Sequence, residues 1–565
     1  MPRVNLLGGA YQALSIISNA QSCINLYQES NPPADAPTPI THYLTPGLDL
    51  LIAGPYAGPV RCTYRSSNGQ PYVVIGPNVY VVNIGWTLTQ VGTIPNLSTN
   101  VVMGDNGLVV ILVDGSASGW AIDMTTFSFG KITDPSFYGA IRVDYIDTYF
   151  VFNQPGTANM YASLSEVTFD MLTGTLGAVF SGSIASGGTG YTNGVYTGVS
   201  FTGGTGTGFT ADVTVSGGGA TSVIPNNQGS GYVIGDSLTS SSLGPGSNFD
   251  YQVTGIHGYA FDPNYIAAKS GYPDPLVAVI VMHREIWLIG QLTTEIWYDA
   301  GAADFPFQAM PGAFIEHGCI APYSIAAQDL SVFWLSQDKQ GQTIVLEGAS
   351  YQAHRVSTHA IENAIRNYST ISDAIGMCYQ QEGHVFYVLT FPSANVTWVY
   401  DISTKLWHQR AWTDNQGYLN RHRANCCMNA YGTVVCGDWQ NGNIYAWDLD
   451  TYTDTGQPIS RIRSMPHLLE NLNRINYSQL VADMEVAEDT SPADMPVVNL
   501  RWSDDRGKTY GSYVPQTLGQ TGQYLTNLQW RRLGIARDRV FELSWSANAK
   551  TALQGVFLTT TRAAT

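Results

Sequence analysis

Four residues in the last third of the sequence have side chains that could bind a metal ion. These residues are His422, Cys426, Cys427 and Cys436. Their spacing lacks the C-x-x-C pairs of structural zinc sites, and Cys427 and Cys436 flank MNAYGTVV, which predicts a β-hairpin. The seven cysteines are odd in number and irregularly spaced, so we predict free, mostly buried thiols rather than a disulfide scaffold or a metal site. Free thiols fit assembly in a reducing cytoplasm.

One short string matches a hydrolase motif. Residues 235–238 read GDSL, the block that carries the nucleophilic serine in one esterase family. In that family the block follows a strand of an α/β fold, whereas here it lies in a glycine-rich segment without a helix pattern. The sequence contains no G-x-S-x-G elbow and no phosphate-binding loop. We therefore predict that Ser237 is not a nucleophile.

Two histidine–carboxylate pairs could in principle transfer protons. His283 and Glu285 are two residues apart in HREIWLIG, which predicts that they share one face of a strand. Glu316 and His317 are adjacent and would point to opposite faces. We interpret both pairs as solvated or interface groups. The sequence thus predicts no catalytic, cofactor-binding or metal-binding residues, and no enzymatic activity.

The most specific local motif is SDDRGKTY at residues 503–510. It fits the Asp-box pattern of Ser503, Asp505, Gly507, Thr509 and Tyr510. Ser and Asp would satisfy the backbone of a turn, Gly would take the awkward dihedral angle, and the aromatic ring would pack into the core. The motif resembles the Asp boxes of sialidase propellers, but a single copy favours a purely structural hairpin.

The distribution of charge argues against a classical nucleic-acid reader. The net charge is −17, and 12 basic and 10 acidic residues fall in 456–565, leaving 14 and 33 in the rest of the chain. No Lys or Arg occurs between Arg142 and Lys269.

Two segments of the C-terminal region carry clustered charge. Four arginines (531, 532, 537 and 539) could contact phosphate, and the acidic stretch 482–496 could bind calcium. It lacks EF-hand spacing, so we interpret it as a solvated loop.

The composition predicts an all-β fold. The chain has 58 Gly and 33 Tyr, which suit tight turns and pleated surfaces, and only 12% charged residues, which suits an assembly subunit. The segments WAIDMTTFSF, WVYDISTKLW and YAWDLDTYTD align as aromatic-x-apolar-Asp-x-x-Thr, with a partial fourth match in FDMLTG. A repeated hairpin of this kind indicates propeller blades. Because the spacing is irregular, the sequence does not give the number of blades, and a stacked sandwich is also possible.

The organisation along the chain follows from shifts in composition. We predict an N-terminal arm over 1–50, a propeller-like core over 51–181 and 256–455, an inserted glycine-rich β module over 182–255, and a C-terminal β-sandwich over 456–565. STHAIENAIRNY (357–368) is the clearest helix, capped by Thr358 or Ser357. The related cues GTGY (188–191) and GSGY (229–232) suggest that the module has two related halves. We expect no signal peptide and no membrane-spanning segment.

Several long blocks resemble a known family. They are AYQALSIISNAQSCINLYQE with HYLTPGL, then YPDPLVAVIVMHREIWLIGQLTTEIWYDAG, DFPFQAMPGAFIEHGCIAPYSIA, STHAIENAIRNY and YQQEGHVFYVLTFP. These blocks resemble the tail hub proteins, also called nozzle or packaged-DNA stabilisation proteins, of short-tailed podovirus phages. The resemblance covers most of the chain but skips 182–255.

The resemblance implies a structural tail component of the virion, without cofactors. It implies a homo-hexameric ring below the portal that docks to a head-to-tail adaptor protein. A tail needle or tip protein and tail fibres or spikes would lie nearby. The ring would continue the DNA channel, helping to retain and then deliver the genome without sequence-specific binding. The alternative is a carbohydrate-binding or carbohydrate-cleaving tail protein. A third possibility, a host adhesin, would require an export signal or an anchor, and neither is visible in the sequence.

Overall fold

The protein is nearly all β, as the sequence predicts. A computed structural model describes residues 3–6, 8–31, 38–97, 99–302, 304–338, 340–485, 496–519, 523 and 526–563. Within these ranges the strands are accompanied by two α-helices, Phe169–Thr173 and His359–Arg366, and one 3₁₀ turn, Pro322–Ser324. The strands form a β-propeller, an inserted module and a β-sandwich.

Seven antiparallel four-strand units form the propeller in the described part of the chain: the first five are separate four-stranded sheets, and the last two are parts of an eleven-stranded and a six-stranded sheet. First strands of successive units lie against each other from unit 1 to unit 4 and from unit 5 to unit 7. Units 4 and 5 share a hydrophobic cluster, and the first strands of units 7 and 1 lie against each other, so the ring is closed. We number these units as blades 1 to 7. The strands of blades 1 to 4 are, in chain order, Val60–Arg65, Pro71–Ile75, Asn78–Asn83 and Thr87–Thr93; Val102–Asp105, Val109–Val113, Gly119–Asp123 and Phe129–Lys131; Val143–Ile146, Tyr149–Asn153, Asn159–Ala162 and Ile266–Ala268; and Leu276–Met282, Glu285–Gly290, Thr294–Asp299 and Phe307–Ile315.

The remaining blades complete the ring and include strands from both ends of the propeller sequence. Those of blades 5 to 7 are Ala326–Gln328, Ser331–Gln337, Thr343–Ala349 and Gln352–Arg355; Ile375–Gln381, His384–Phe391, Val396–Asp401 and Leu406–Thr413; and Ala424–Ala430, Thr433–Asp438, Ile444–Asp448 and Gly47–Ile52. Leu419–Arg421 pairs with the last strand of blade 6, and Thr453–Asp454 and Gln457–Pro458 extend blade 7. Blade 7 is therefore closed by a strand that precedes blade 1 in sequence.

The aspartates of the sequence repeat build turns, as predicted. Asp123 accepts hydrogen bonds from the backbone N–H groups of Thr125 and Thr126. Asp401 accepts from the backbone of Ser403 and the hydroxyl of Thr404. Asp448 binds its own turn in the same way. These side chains satisfy backbone donors that would otherwise lack a strand partner.

The partial repeat FDMLTG is not a hairpin, and its prediction as one was wrong. Phe169–Thr173 is a short helix whose Leu172 is buried against blades 2 and 3. The chain leaves the propeller here, so no fourth blade strand follows to pair with. Helical hydrogen bonds satisfy the backbone instead.

The inserted module lies between the third and fourth strands of blade 3. Its two three-stranded sheets enclose a hydrophobic core of their own. Gly188 and Gly190 have positive φ angles of 69° and 82°, and Gly229 and Gly231 repeat them with 65° and 78°. The two halves therefore share a turn as well as a sequence cue. The strands are Val179–Thr189, Ser247–Ile256 and Ser237–Leu238 in one sheet, and Gly194–Ser200, Thr207–Ser216 and Gly219–Ser230 in the other.

The C-terminal region forms the β-sandwich, and the N-terminal segment contributes to both of its sheets. One sheet continues blade 6 through Cys23–Ile24, so that eleven strands of the described chain form a single sheet across propeller and sandwich. A small hairpin joins Tyr11–Gln12 to Ala20–Gln21. The sandwich strands of the shared sheet are Arg461–Ser464, Asp538–Trp545, Val497–Ser503, Val514–Thr517 and Leu468–Leu469; those of the second sheet are Leu26–Ser30, Ile40–Leu44, Leu553–Arg562, Ile475–Met484 and Leu528–Ala536.

The predicted helix is present and covers the core near this junction. Thr358 is its N-cap, and its hydroxyl accepts a hydrogen bond from the backbone N–H of Ile361. Ile361 and Ile365 are buried in the largest hydrophobic cluster, which contains side chains from both the propeller and the sandwich. The amphipathic pattern of the sequence thus corresponds to a helix that packs on the β core.

Candidate functional site at the propeller–sandwich junction

The residues of the GDSL string have structural contacts. Asp236 accepts hydrogen bonds from the backbone N–H of Val233 and from the backbone and hydroxyl of Thr205, which joins two loops of the inserted module. Ser237 donates to Asp250 on the neighbouring strand. In the described part of the chain, no histidine is a hydrogen-bond partner of Ser237. The described residues therefore lack the Ser–His pair of an esterase active site.

The prediction that His283 and Glu285 share a strand face was wrong. His283 lies in the two-residue turn between the first two strands of blade 4, with a positive φ of 53°, and only Glu285 begins a strand. Glu285 accepts a hydrogen bond from the Tyr351 hydroxyl of blade 5. Glu316 and His317 follow the end of the last blade 4 strand at Ile315.

The cysteines are free thiols placed in packed β-structure. Cys427 and Cys436 are cross-strand neighbours in the predicted hairpin of blade 7. Burial raises the pKa of both Cys426 and Cys427 to about 12, so their thiols stay protonated. Among the described residues, no group of three or more His, Cys, Asp or Glu is placed to hold a metal ion. The acidic stretch 482–496 lies mostly outside the described residues.

The Asp box forms the predicted turn in the sandwich. Asp505 accepts from the Ser503 hydroxyl at 2.7 Å and from the hydroxyl and backbone of Thr509 at 2.6 and 2.8 Å. These bonds hold the pKa of Asp505 well below its usual range. Gly507 has a φ of 85° and donates to the Ser503 hydroxyl. Tyr510 is half-buried and stacks on the Arg501 guanidinium, rather than entering the core as expected.

One asparagine bridges the propeller and the sandwich at their junction. Asn25 exchanges hydrogen bonds with Ala411 of blade 6, accepting through Oδ1 at 2.8 Å and donating through Nδ2 at 2.9 Å. Its Nδ2 also donates to the carbonyl of Ser460, just before the first sandwich strand. Asn25 has a positive φ of 54°, a conformation that Asn tolerates better than most residues. This single side chain therefore joins the two domains.

A buried arginine holds the N-terminal segment against the sandwich. Arg463 is fully buried and donates through Nη2 to the carbonyls of Leu6 and Gly8, both at 3.0 Å. It also donates to the Gln21 side chain at 2.9 Å and to the carbonyl of Ser22 at 3.2 Å. These acceptors come from four separate points of the segment, so Arg463 fixes its path. Burial lowers the pKa of Arg463, which is satisfied by neutral acceptors rather than by a carboxylate.

Sequence reasoning missed these junction residues. Asn25 and Arg463 belong to no local motif, and their partners lie up to 457 positions away. One signal was available: RIRS alternates basic and apolar residues, which places Arg461 and Arg463 on the same face of a short strand. Such a pattern in an otherwise apolar context indicates buried, hydrogen-bonded guanidinium groups.

Comparison with known protein families shows to which family the chain belongs. The model of the bacteriophage P22 Gp10 beta-propeller matches residues 256–452, and the model of the P22 Gp10 beta-sandwich matches residues 462–561. Together the two matches cover more than half of the sequence. The chain belongs to the P22 Gp10 family. This is a podophage tail protein family, and it confirms the resemblance to the tail hub proteins and the propeller-plus-sandwich fold.

The family match begins where the inserted module ends. Blades 1 and 2 and the first three strands of blade 3 precede it, and the match also contains no part of the N-terminal segment. Membership makes the protein a structural component of a phage tail, and hence of the virion, and suggests a non-enzymatic role. No helix of the described residues is long and apolar enough to cross a membrane.

Comparisons beyond the family are weak. No curated protein matches the sequence. The WD40 beta-propeller domain of Doa1 is similar at 7% identity and a TM-score of 0.31, covering 71% of this chain and 96% of that domain. The computationally designed Ika8 protein is similar at 10% identity and a TM-score of 0.31, covering 71% and 99%. At these scores, neither similarity carries an argument about this protein.

Proposed function

We propose that this protein is the hub, or nozzle, subunit of a short phage tail. Copies of the chain form a ring below the portal and its adaptor, continue the DNA channel, and help to retain and then deliver the genome. The main structural support for this proposal is the eleven-stranded sheet that runs from blade 6 through Cys23–Ile24 into the sandwich. Backbone pairing of Ile24 with both Gln409 of blade 6 and Ile462 of the sandwich couples the two domains, which suits a subunit exposed to the pressure of packaged DNA.

The charge of the chain supports passage rather than capture of DNA. The chain carries 26 basic against 43 acidic residues, and the whole acidic excess lies outside residues 456–565. Tight binding to the phosphate backbone requires several Lys or Arg contacts, and acidic walls repel it. A lumen lined by this surface lets the genome slide. Rows of Lys and Arg along the lumen of the assembled ring would contradict this part of the proposal.

The partners of the proposal follow from its position in the tail. The subunit would contact other copies of itself in a homo-hexameric ring, the head-to-tail adaptor protein above, and a tail needle or tip protein with fibres or spikes around it. Exposed apolar side chains such as Ile84, Leu330 and Tyr418 are available for such contacts. These partner assignments come from the family resemblance.

Electron microscopy of the purified full-length protein, alone and mixed with its adaptor, tests the proposal. We expect a closed six-fold ring with a central channel, formed at least in the presence of the adaptor. A protein that stays monomeric under both conditions would overturn the hub assignment. Short duplex DNA added to the ring should show no retention at physiological salt, because few phosphate contacts are available.

A further inference from the structure

A surface cavity lies at the loops of blades 4 and 5, away from the junction. Its volume is about 420 Å³, within the range of small-ligand pockets. The lining combines apolar and hydrogen-bonding groups, and among the lining residues that the structure describes there is no Lys or Arg. They are Tyr272, Gln291, Leu292, Thr293, Phe314, Glu316, Gln337 and Asp338.

One wall of the cavity is held by a buried ion pair. Lys269 donates to the carboxylate of Asp274 and to the hydroxyl and carbonyl of Thr293, at 2.7 and 2.8 Å. Asp274 in turn accepts from the backbone N–H groups of Leu292 at 2.6 Å and Thr293 at 3.3 Å. A buried ion pair is weak evidence for stability, because desolvation offsets its attraction. Here it fixes the conformation of an exposed loop.

A second buried carboxylate holds the loop that carries Tyr272. Glu295 is almost fully buried and accepts from the backbone N–H groups of Ser270, Gly271 and Tyr272 at 3.0, 2.8 and 3.2 Å. It also accepts from the indole N–H of Trp297. Three successive backbone donors bound to one carboxylate leave this loop little freedom. The position of Tyr272 is therefore set before any ligand arrives.

The two aromatic rings of the cavity are exposed although their backbones are fixed. Tyr272 is 49% exposed and Phe314 is 42% exposed. Phe314 follows an irregularity in the last strand of blade 4 and is the cross-strand neighbour of Glu295. Its ring lies over Gly271, where an added Cβ would come within 3.0 Å of the ring. Exposing apolar aromatic surface to water is unfavourable in the free protein. Aromatic surface that is held rigidly in this way is typical of binding sites.

We propose that this cavity binds a neutral carbohydrate. Aromatic faces stack on the C–H faces of a sugar ring, while the amides of Gln291 and Gln337 hydrogen-bond its hydroxyls. The carboxylates of Asp338, whose Oδ1 already accepts from the backbone N–H groups of Gln340 and Gln342, and of Glu316 add acceptor capacity beside these amides. A cavity with carboxylates and without described basic groups disfavours phosphate and other anions. The inference is independent of the hub role, because the cavity is formed by loops of two neighbouring blades of one chain and needs no second copy.

Saturation-transfer NMR on the full-length protein tests this proposal. The probes are the methyl glycosides of glucose, galactose, mannose, N-acetylglucosamine and rhamnose, each added alone. We expect saturation transfer to at least one glycoside, and we expect Phe314→Ala and Tyr272→Ala each to weaken its affinity roughly tenfold. Gly271→Ala should weaken it too, because the added methyl group pushes the Phe314 ring aside.

Matched controls separate the cavity from general surface stickiness. Phe127→Ala and Tyr418→Ala remove exposed aromatic rings elsewhere on the propeller and should leave the transfer unchanged. Thermal unfolding of each variant verifies its fold. No transfer to any of the five glycosides, or equal loss in cavity and control variants, would overturn the proposal. Density for a protein segment inside the cavity of the assembled tail would also overturn it.

Discussion

Arg463 donates a hydrogen bond from Nε to Nε2 of His42 across 3.2 Å. A guanidinium only donates hydrogen bonds, so Nε2 of His42 must be the acceptor and must carry no proton. Burial, together with the charge of Arg463, holds the pKa of His42 well below its usual range. The contact joins a sandwich strand to a strand from the N-terminal segment, so the protonation state of one histidine is linked to how the two parts of the chain are joined.

Replacing Arg463 should loosen the N-terminal segment. Arg463→Met would leave the carbonyls of Leu6, Gly8 and Ser22 without this donor in a buried site, and each unsatisfied group is costly. We expect the free energy of unfolding to fall by about 3 kcal/mol or more in chemical denaturation. We also expect faster proteolytic cleavage within residues 8–22.

The matched control for this change is Arg531→Met. Arg531 is an exposed sandwich arginine whose side chain donates to Gln529, so its removal should change stability by less than about 0.5 kcal/mol. Unchanged protection of the N-terminal segment in Arg463→Met would show that the segment is held by its strand pairing alone.

Acidification should destabilise the protein partly through His42. Its folded pKa lies below the unfolded value of about 6.5, so below that pH the unfolded chain takes up a proton that the folded chain does not. Stability is therefore retained above about pH 6.5 and lost below it, at up to about 1.4 kcal/mol per pH unit. In His42→Gln the amide oxygen can still accept from Arg463, so we expect a shallower loss between pH 7 and 5. Identical pH profiles of unfolding would contradict this assignment.

Closure of the propeller should depend on Gly47. This residue begins the strand that completes blade 7, and an added Cβ would lie 2.2 Å from the backbone oxygen of Thr451. Because the clash is with backbone, the strand itself must move, and we expect Gly47→Ala to lower the free energy of unfolding by about 2 kcal/mol or more. Gly194→Ala is the control, since a Cβ there meets nothing within 4 Å. Equal unfolding midpoints for the two variants would refute the role of this strand in closure.

We expect the Asp box to contribute to the folding stability of the sandwich and not to catalysis. Gly507 has a φ of 85°, and an added Cβ would lie 3.0 Å from the Cβ of Ala20. Gly507→Ala should therefore cost about 1–2 kcal/mol in denaturation. Gly511→Ala, near the end of the same turn, meets only the Trp502 oxygen at 3.7 Å and should be close to neutral. A neutral Gly507→Ala would show that the turn adapts without strain.

The features predicted correctly are those that a few neighbouring residues decide. Asp401 and Thr404 lie three positions apart, and their side chains reach the backbone of their own turn. The Asp box and the cap at Thr358 are local in the same sense. FDMLTG shows the limit of this reasoning, because its letters fit the repeat while the absence of a following blade strand made it a helix.

What the sequence by itself determined was the class of structure: an all-β chain, its hairpin turns, a capped helix and a family of phage tail proteins. Only the tertiary structure decided the number of blades, the use of Gly47–Ile52 to close the seventh, and the sheet that continues from blade 6 into the sandwich. The physical reason is the range of the interactions. Turn and cap hydrogen bonds act over a few residues and leave a pattern, whereas strand pairing between Ile24 and Gln409 uses backbone groups that every residue has. Asn25 and Arg463 acquire their roles only when that pairing brings distant segments together.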